Sequence, residues 1–187
     1  MSFGSYRWWG GIALALLLLF SVAGCNEYKT FTLEKGIAHF TFEYPSSYQT
    51  PSVHIMYDYR ETQVSIGRCP PENHRNEILL YIRTYHYDEY NAESWLESYL
   101  GSESSLSDNF TLLRRLPMKV GTDTGEHAVY SYVQYQLDFK AVPTIVRIVA
   151  FDHDDLIFHI SVSADMGISE SAKADFDHII KTFTILD

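Results

Sequence analysis

Thr144-Ile-Val-Arg-Ile-Val-Ala-Phe151 and Leu156-Ile-Phe-His-Ile-Ser-Val-Ser-Ala164, joined by Asp152-His-Asp-Asp155, decide the fold. Both runs are rich in β-branched residues, and the four hydrophilic residues between them favour a turn, so the pair reads as an antiparallel hairpin. Working outward, His127 to Phe139 reads as a further strand in series, preceded by a turn at Gly121-Thr-Asp-Thr-Gly125 and a strand from Phe110 to Lys119 interrupted near Pro117. Upstream, Ala38, Phe40, Phe42 and Tyr44 alternate with His39, Thr41 and Glu43, and Val53, Ile55, Tyr57 and Tyr59 repeat the period of two. Thr62 to Gly67 is a shorter strand, Glu72 to Asn76 a loop, and Glu77 to Tyr87 a strand apolar on both faces, which points to a central position. Two helices are expected. Asn91 offers an N-cap to one that places Trp95, Leu96, Tyr99 and Leu100 on one face and stops at Gly101, leaving Ser102 to Asn109 as a loop. The other runs from about Ser169 to Thr182 with Ala172, Phe176, Ile179, Ile180 and Phe183 on one face. Strands joined by short turns pair antiparallel, and amphipathic helices cover such a sheet, so the class is α+β: an antiparallel β-sheet with helices packed on its faces.

The first 25 residues carry a different message. Arg7, the apolar run from Gly11 to Phe20 and a small-residue segment compose an export signal. Trp8 to Gly24 is 17 residues without charge, the bottom of the range that crosses a hydrocarbon core of about 30 Å. Length alone therefore leaves a permanent span open. Ser21-Val-Ala-Gly-Cys25 resembles the lipobox of bacterial lipoproteins, with Val22 where leucine is commonest. That resemblance implies removal of residues 1–24, a diacylglyceryl group on the Cys25 thiol, acylation of the new amine, and a lipid-anchored protein on the extracytoplasmic face of the cell membrane. Two or more acyl chains anchor stably because each buried methylene contributes about 0.8 kcal/mol. Residues 25–30 are then the lipidated cysteine and a short tether with a reach of about 17 Å, and residues 31–187 one globular domain.

Composition narrows the partners. Loss of Arg7 with the signal leaves 13 basic against 24 acidic residues, a net charge of −11. This excludes nucleic acid, whose binding needs clustered Lys and Arg, and adhesion to anionic lipid by overall charge. About 160 residues can bury a core without disulfides, and Cys69, in Arg68-Cys-Pro-Pro71, has no intramolecular partner once Cys25 is lipidated. No nucleophile elbow, zinc-protease, Cys-x-x-Cys, phosphate-loop or dinucleotide motif occurs. The one group of hard ligands is Asp152, His153 and Asp154, with His159 four residues into the next strand; it reads either as a divalent-cation site or as a hydrophilic hairpin. His39 and His54 fall on polar strand faces. Fourteen tyrosines are the other feature, with Tyr81, Tyr85 and Tyr87 on one strand face and Tyr130 and Tyr132 on another. They either form an exposed recognition surface or lie beneath the helices.

Phe40-Thr-Phe-Glu-Tyr-Pro-Ser-Ser-Tyr48, Gly125-Glu-His-Ala-Val-Tyr-Ser-Tyr132 and Phe176-Asp-His-Ile-Ile-Lys-Thr-Phe183 together resemble the PsbP-like superfamily. That group holds the extrinsic protein of photosystem II, Ran-binding Mog-type proteins and many bacterial lipoproteins. The resemblance spans about residues 31 to 186 and implies an antiparallel sheet between helices in a non-enzymatic domain that docks on or assists a larger assembly. It transfers no binding site, catalytic residue or cofactor. The expected function is thus an accessory or scaffold lipoprotein of a membrane or envelope complex, the alternatives being a small-ligand or metal-binding lipoprotein and an envelope hydrolase.

Overall fold

The hairpin is present. In a computed structural model that describes residues 28–56, 60–68, 78–86, 90–135 and 140–186, β8 (Ala141–His153) and β9 (Leu156–Asp165) pair antiparallel down to His153↔Leu156. Only Asp154 and Asp155 form the turn, and Asp154 takes a φ of 52°, a left-handed conformation that Asp tolerates better than most residues. Asp152 and His153 still belong to β8. The chain order is β1 (Tyr28–Leu33), β2 (Phe40–Pro45), β3 (Ser52–Met56), β4 (Glu61–Arg68), β5 (Ile78–His86), α1 (Ala92–Leu106), β6 (Thr111–Val120), β7 (Asp123–Tyr135), β8, β9, a 3-10 turn (Met166–Ile168), α2 (Ser169–Thr182) and β10 (Thr184–Ile185).

Seven strands form one antiparallel sheet in the order β3-β4-β5-β9-β8-β7-β6, and β1-β2-β10 form a small second sheet. Side chains alternate between the two faces of the large sheet. One face, bearing Val149, Phe151, Phe158, Ile160, Leu80 and Ile82, is covered by α2 and the small sheet through Phe40, Phe42, Phe176 and Phe183. The other, bearing Ala128, Tyr130, Ile148, Ala150 and Ile157, is covered by α1 through Ala92, Leu96 and Leu100. The α+β class with helices on both faces therefore holds. β5 lies inside the sheet, and α2 spans the expected residues with Ala172, Phe176, Ile179 and Ile180 buried.

Several expectations need correction. Tyr28 to Thr30, expected in the tether, already pair with Pro45 to Glu43, so β1 begins before the expected domain start at residue 31. Gly101 does not stop α1: the helix continues to Leu106, with Ser104 and Ser105 hydroxyls donating to the Gly101 carbonyl at 2.9 and 3.0 Å. The left-handed residue after this helix is Asn109, at a φ of 55°. β6 is not broken at Pro117, which sits in register opposite Glu126; the irregularity lies between Leu112 and Arg114. β6 is an edge strand, the place in a sheet where proline is tolerated. In the expected Gly121–Gly125 turn only Gly121, at a φ of 57°, and Thr122 turn. Gly125 is within β7, where an added Cβ would stand 2.4 Å from the Ala150 carbonyl oxygen, so its role is close strand approach.

Candidate functional site

The α1 side of the sheet gathers half-buried aromatic rings together with buried polar groups that lack partners. Helix α1 is placed there by its N-terminus. The Asn91 side chain accepts from the Ser94 N–H at 2.8 Å while the Ser94 hydroxyl accepts from the Asn91 N–H at 3.1 Å, a reciprocal cap. Asp152 accepts from the Ala92 N–H at 2.8 Å, which ties the helix to the end of β8 and places a carboxylate where the helix dipole favours one. From that anchor the helix lays Leu96 onto the sheet and turns Trp95 and Tyr99 toward β9 and β5.

Trp95 and Tyr99 stack on each other with centroids 5.3 Å apart and planes at 13°. Both rings are half-buried. With Tyr90, Ser98 and Ser102 they line a cleft of about 310 Å³. Beneath them lies His159, 3% exposed, its ring 4.9 Å from Trp95 and 5.7 Å from Tyr99. Neither His159 ring nitrogen has a hydrogen-bond partner; burial, then the charge on Arg83, push its pKa down to about 3, so the ring is neutral. Arg83, opposite His159 in the β5–β9 register, lies over the Tyr81 ring at 5.3 Å and donates to the Tyr85 hydroxyl at 3.4 Å, while its Nε is buried and unpartnered. Tyr85 packs under Trp95, and the hydroxyls of Tyr99 and Tyr130 meet at 3.1 Å. Burial raises the pKa of both phenols. The tyrosines thus divide: Tyr85 and Tyr130 lie beneath α1, whereas Tyr81 and Tyr132 stay half-exposed beside it. Tyr57, Tyr59 and Tyr87 lie outside the described residues, as do residues 1–27, Cys69 and the expected 72–76 loop.

The hard-ligand group is not brought together. Asp152 pairs with Ile157 on the α1 face and His153 with Leu156 on the α2 face, because adjacent strand residues point to opposite sides. Asp152 caps α1; the His153 Nδ1 is 3.1 Å from Asp123 and its Nε2 4.0 Å from the exposed Asp154. His159, expected to approach the turn, is instead enclosed under Trp95 and Tyr99. Among the described residues no three His, Cys, Asp or Glu side chains are placed to hold one metal ion. His153 borders two shallow clefts of about 320 and 350 Å³ at the turn end of the sheet. His39 and His54 are exposed, as expected. The buried carboxyl of Asp175, its pKa raised by burial, accepts from the Tyr48 hydroxyl at 2.8 Å and so binds the segment after β2 to α2.

Sequence reasoning reached Trp95 and Tyr99 only as a packing stripe and missed Arg83 altogether. The signal available was weak: a lone arginine in an apolar strand, flanked at two-residue spacing by Tyr81 and Tyr85.

No protein-family model and no curated protein matches the sequence. Solved structures do match. The chain is similar to cyanobacterial PsbP from Synechocystis sp. PCC 6803, at 11% identity and a TM-score of 0.54 over 88% of this chain and 96% of that one. It is similar to the Saccharomyces cerevisiae Ran-binding protein Mog1p, at 11% identity and a TM-score of 0.56 over 86% and 96%. It is also similar to LpqN, involved in cell envelope biogenesis of Mycobacterium tuberculosis, at 11% identity and a TM-score of 0.50 over 87% and 93%. At such identities the likeness speaks to architecture, and the architecture of this chain is the PsbP-like fold.

Proposed function

We propose that the chain is an extracytoplasmic lipoprotein, cut before Cys25 and anchored through it, whose domain serves as a non-catalytic accessory or scaffold protein of a membrane or envelope complex and meets its partner through the α1 side. The observation that carries this reading is the division of the molecule. β1, which begins three residues after Cys25, belongs to the layer on the α2 face, whereas the stacked Trp95 and Tyr99, the cleft beside them and Arg83 belong to the opposite face. A protein held at Cys25 offers its aromatic surface on the side away from its anchored layer. Half-buried aromatic rings with an arginine beside them are the residue types that dominate recognition surfaces. The Ser-Val-Ala-Gly-Cys25 motif supports the anchor, and the likeness to an envelope-biogenesis protein fits the setting.

A second reading, a small-ligand-binding lipoprotein, draws on the cleft at Tyr90, Trp95 and Ser98, whose volume of about 310 Å³ is at the lower end for a ligand pocket. One experiment addresses both readings. Wild type and Cys25→Ala are labelled with a radioactive fatty acid in a bacterial host and fractionated, and binding is then scored for wild type and Trp95→Ala. The proposal expects label and membrane recovery to vanish in Cys25→Ala, and a membrane-protein partner to be lost in Trp95→Ala. Unlabelled wild-type protein overturns the anchor, and saturable binding of a small molecule at Trp95 without a protein partner favours the second reading.

A further inference from the structure

On the α2 face, one corner over β6, β7 and β8 has a chemistry that departs from that of the chain. Although acidic residues outnumber basic ones 24 to 14 overall, Arg114, Arg147 and Lys173 converge there around His127. The register sets the arrangement: Arg114 and Arg147 both pair with Val129, one from each side, so they share a face two strand spacings apart, about 9.5 Å. His127 is two residues along β7 on the same face, 6% exposed, its ring stacked at 5.8 Å on Phe176 of α2. Neither of its ring nitrogens has a partner, and the Arg147 Nε is buried without one. Among the described residues no carboxylate makes an ion pair with Arg114 or Arg147; Asp177, the acid of α2 on this side, is held by Lys173 at 2.6 Å. Two guanidinium groups and a buried imidazole, all with donors unspent, are a combination that an oxyanion completes, since arginine presents paired N–H groups to such oxygens and the neutral ring can donate from one nitrogen. The crowding has a measurable cost: burial, then Arg147 and Arg114, push the His127 pKa down to about 4.

The geometry points to an oxyanion-binding site in this corner, with Arg114 and Arg147 as its two arms and His127 at its floor, and a phosphate group as the ligand chemistry. The site is separate from the α1-side surface and does not rest on the reading given for it. Phosphate can reach it as a free ion or phosphorylated metabolite, or as a phospholipid headgroup.

The test follows the imidazole signal of His127 by NMR in the protein as isolated, at constant ionic strength, with two additions: inorganic phosphate against chloride, and phosphatidylglycerol against phosphatidylcholine vesicles. A saturable shift with inorganic phosphate, accompanied by a rise in the His127 pKa, is expected for a free oxyanion; a shift only with the anionic vesicles assigns the site to headgroups. In either case Arg114→Gln, an exposed position, weakens binding about tenfold or more, the loss of one charge-assisted contact. Arg115→Gln is the control, because Arg115 points to the other face and pairs with Glu97 and Glu126, and it leaves the affinity unchanged. No saturable shift with either addition, or equal losses in Arg114→Gln and Arg115→Gln, overturns the assignment.

Discussion

The two faces of the seven-stranded sheet are built from different materials. The α2 side is roofed by a helix and a second sheet, and its core is mainly phenylalanine and aliphatic, with Tyr44 and Tyr48 at its edge: 23 buried apolar side chains among the described residues, with Phe40, Phe42, Phe151, Phe158 and Phe183 linked by a chain of ring contacts. The α1 side is roofed by one helix, its buried cluster has nine members, and its aromatic residues, Phe110 apart, are tyrosine and tryptophan with polar tips. The first is closed over most of its area, the corner around His127 apart. The second leaves stacked half-buried rings and a cleft at its margin, the features of a recognition surface.

The largest effect that separates the faces is expected from Phe176→Ala, which empties a fully buried ring position on α2 and costs about 3–5 kcal/mol of unfolding free energy, read as a shift of the urea midpoint. Leu96→Ala, the matching deletion under α1, costs about 2–4 kcal/mol; a loss larger than that of Phe176→Ala would break the ranking of the two faces.

Acid sharpens the comparison further, because each face hides one histidine. The unfolded chain takes up protons on imidazole near its ordinary pKa of about 6.5, whereas folded His127 and His159 do so only near about 4 and about 3. Below about pH 6.5 the unfolded state therefore binds more protons, so the contribution of the neutral rings is complete above that pH and declines as pH falls toward 4. Urea midpoints measured from pH 7 to pH 4.5 should fall, and His159→Phe should flatten the slope. A slope unchanged in His159→Phe contradicts the enclosure of that ring beneath Trp95. The smallest effect is expected from Asn91→Ala, about 1 kcal/mol, since Asp152 still holds the Ala92 N–H.

How much of this was legible follows from where the information sits along the chain. Strands with one buried face announce themselves by alternation, as Ala38 to Tyr44 do, and α2 by its 3.6-residue stripe. β1 escaped because Tyr28-Lys-Thr-Phe-Thr-Leu33 buries only Leu33 fully, and a strand at the edge of a small covering sheet shows little contrast between its sides. The end of α1 was misread because glycine is a frequent helix stop, yet serine hydroxyls there bond back to the helix carbonyls and the chain leaves the helix only after Leu106. The sites were less accessible still. Arg83 meets His159 through β5–β9 pairing across more than seventy residues, which no local pattern encodes. Whether Arg114 or Arg115 faces α2 depends on the irregularity after Leu112, since one extra residue in a strand reverses every side chain beyond it. Asp152, His153 and His159 looked like a ligand set along the chain, but the period of two scatters them over both faces.

The central claim, that the α1 side is the recognition surface of a protein anchored from the opposite layer, is tested most directly by photo-crosslinking in native membranes. A crosslinking residue is placed at Ser98, exposed on α1 beside Trp95, or at Glu170, exposed on α2. The account predicts a discrete adduct from Ser98 that disappears in Trp95→Ala, with none from Glu170. An adduct from Glu170 alone, or none from either position, would contradict it.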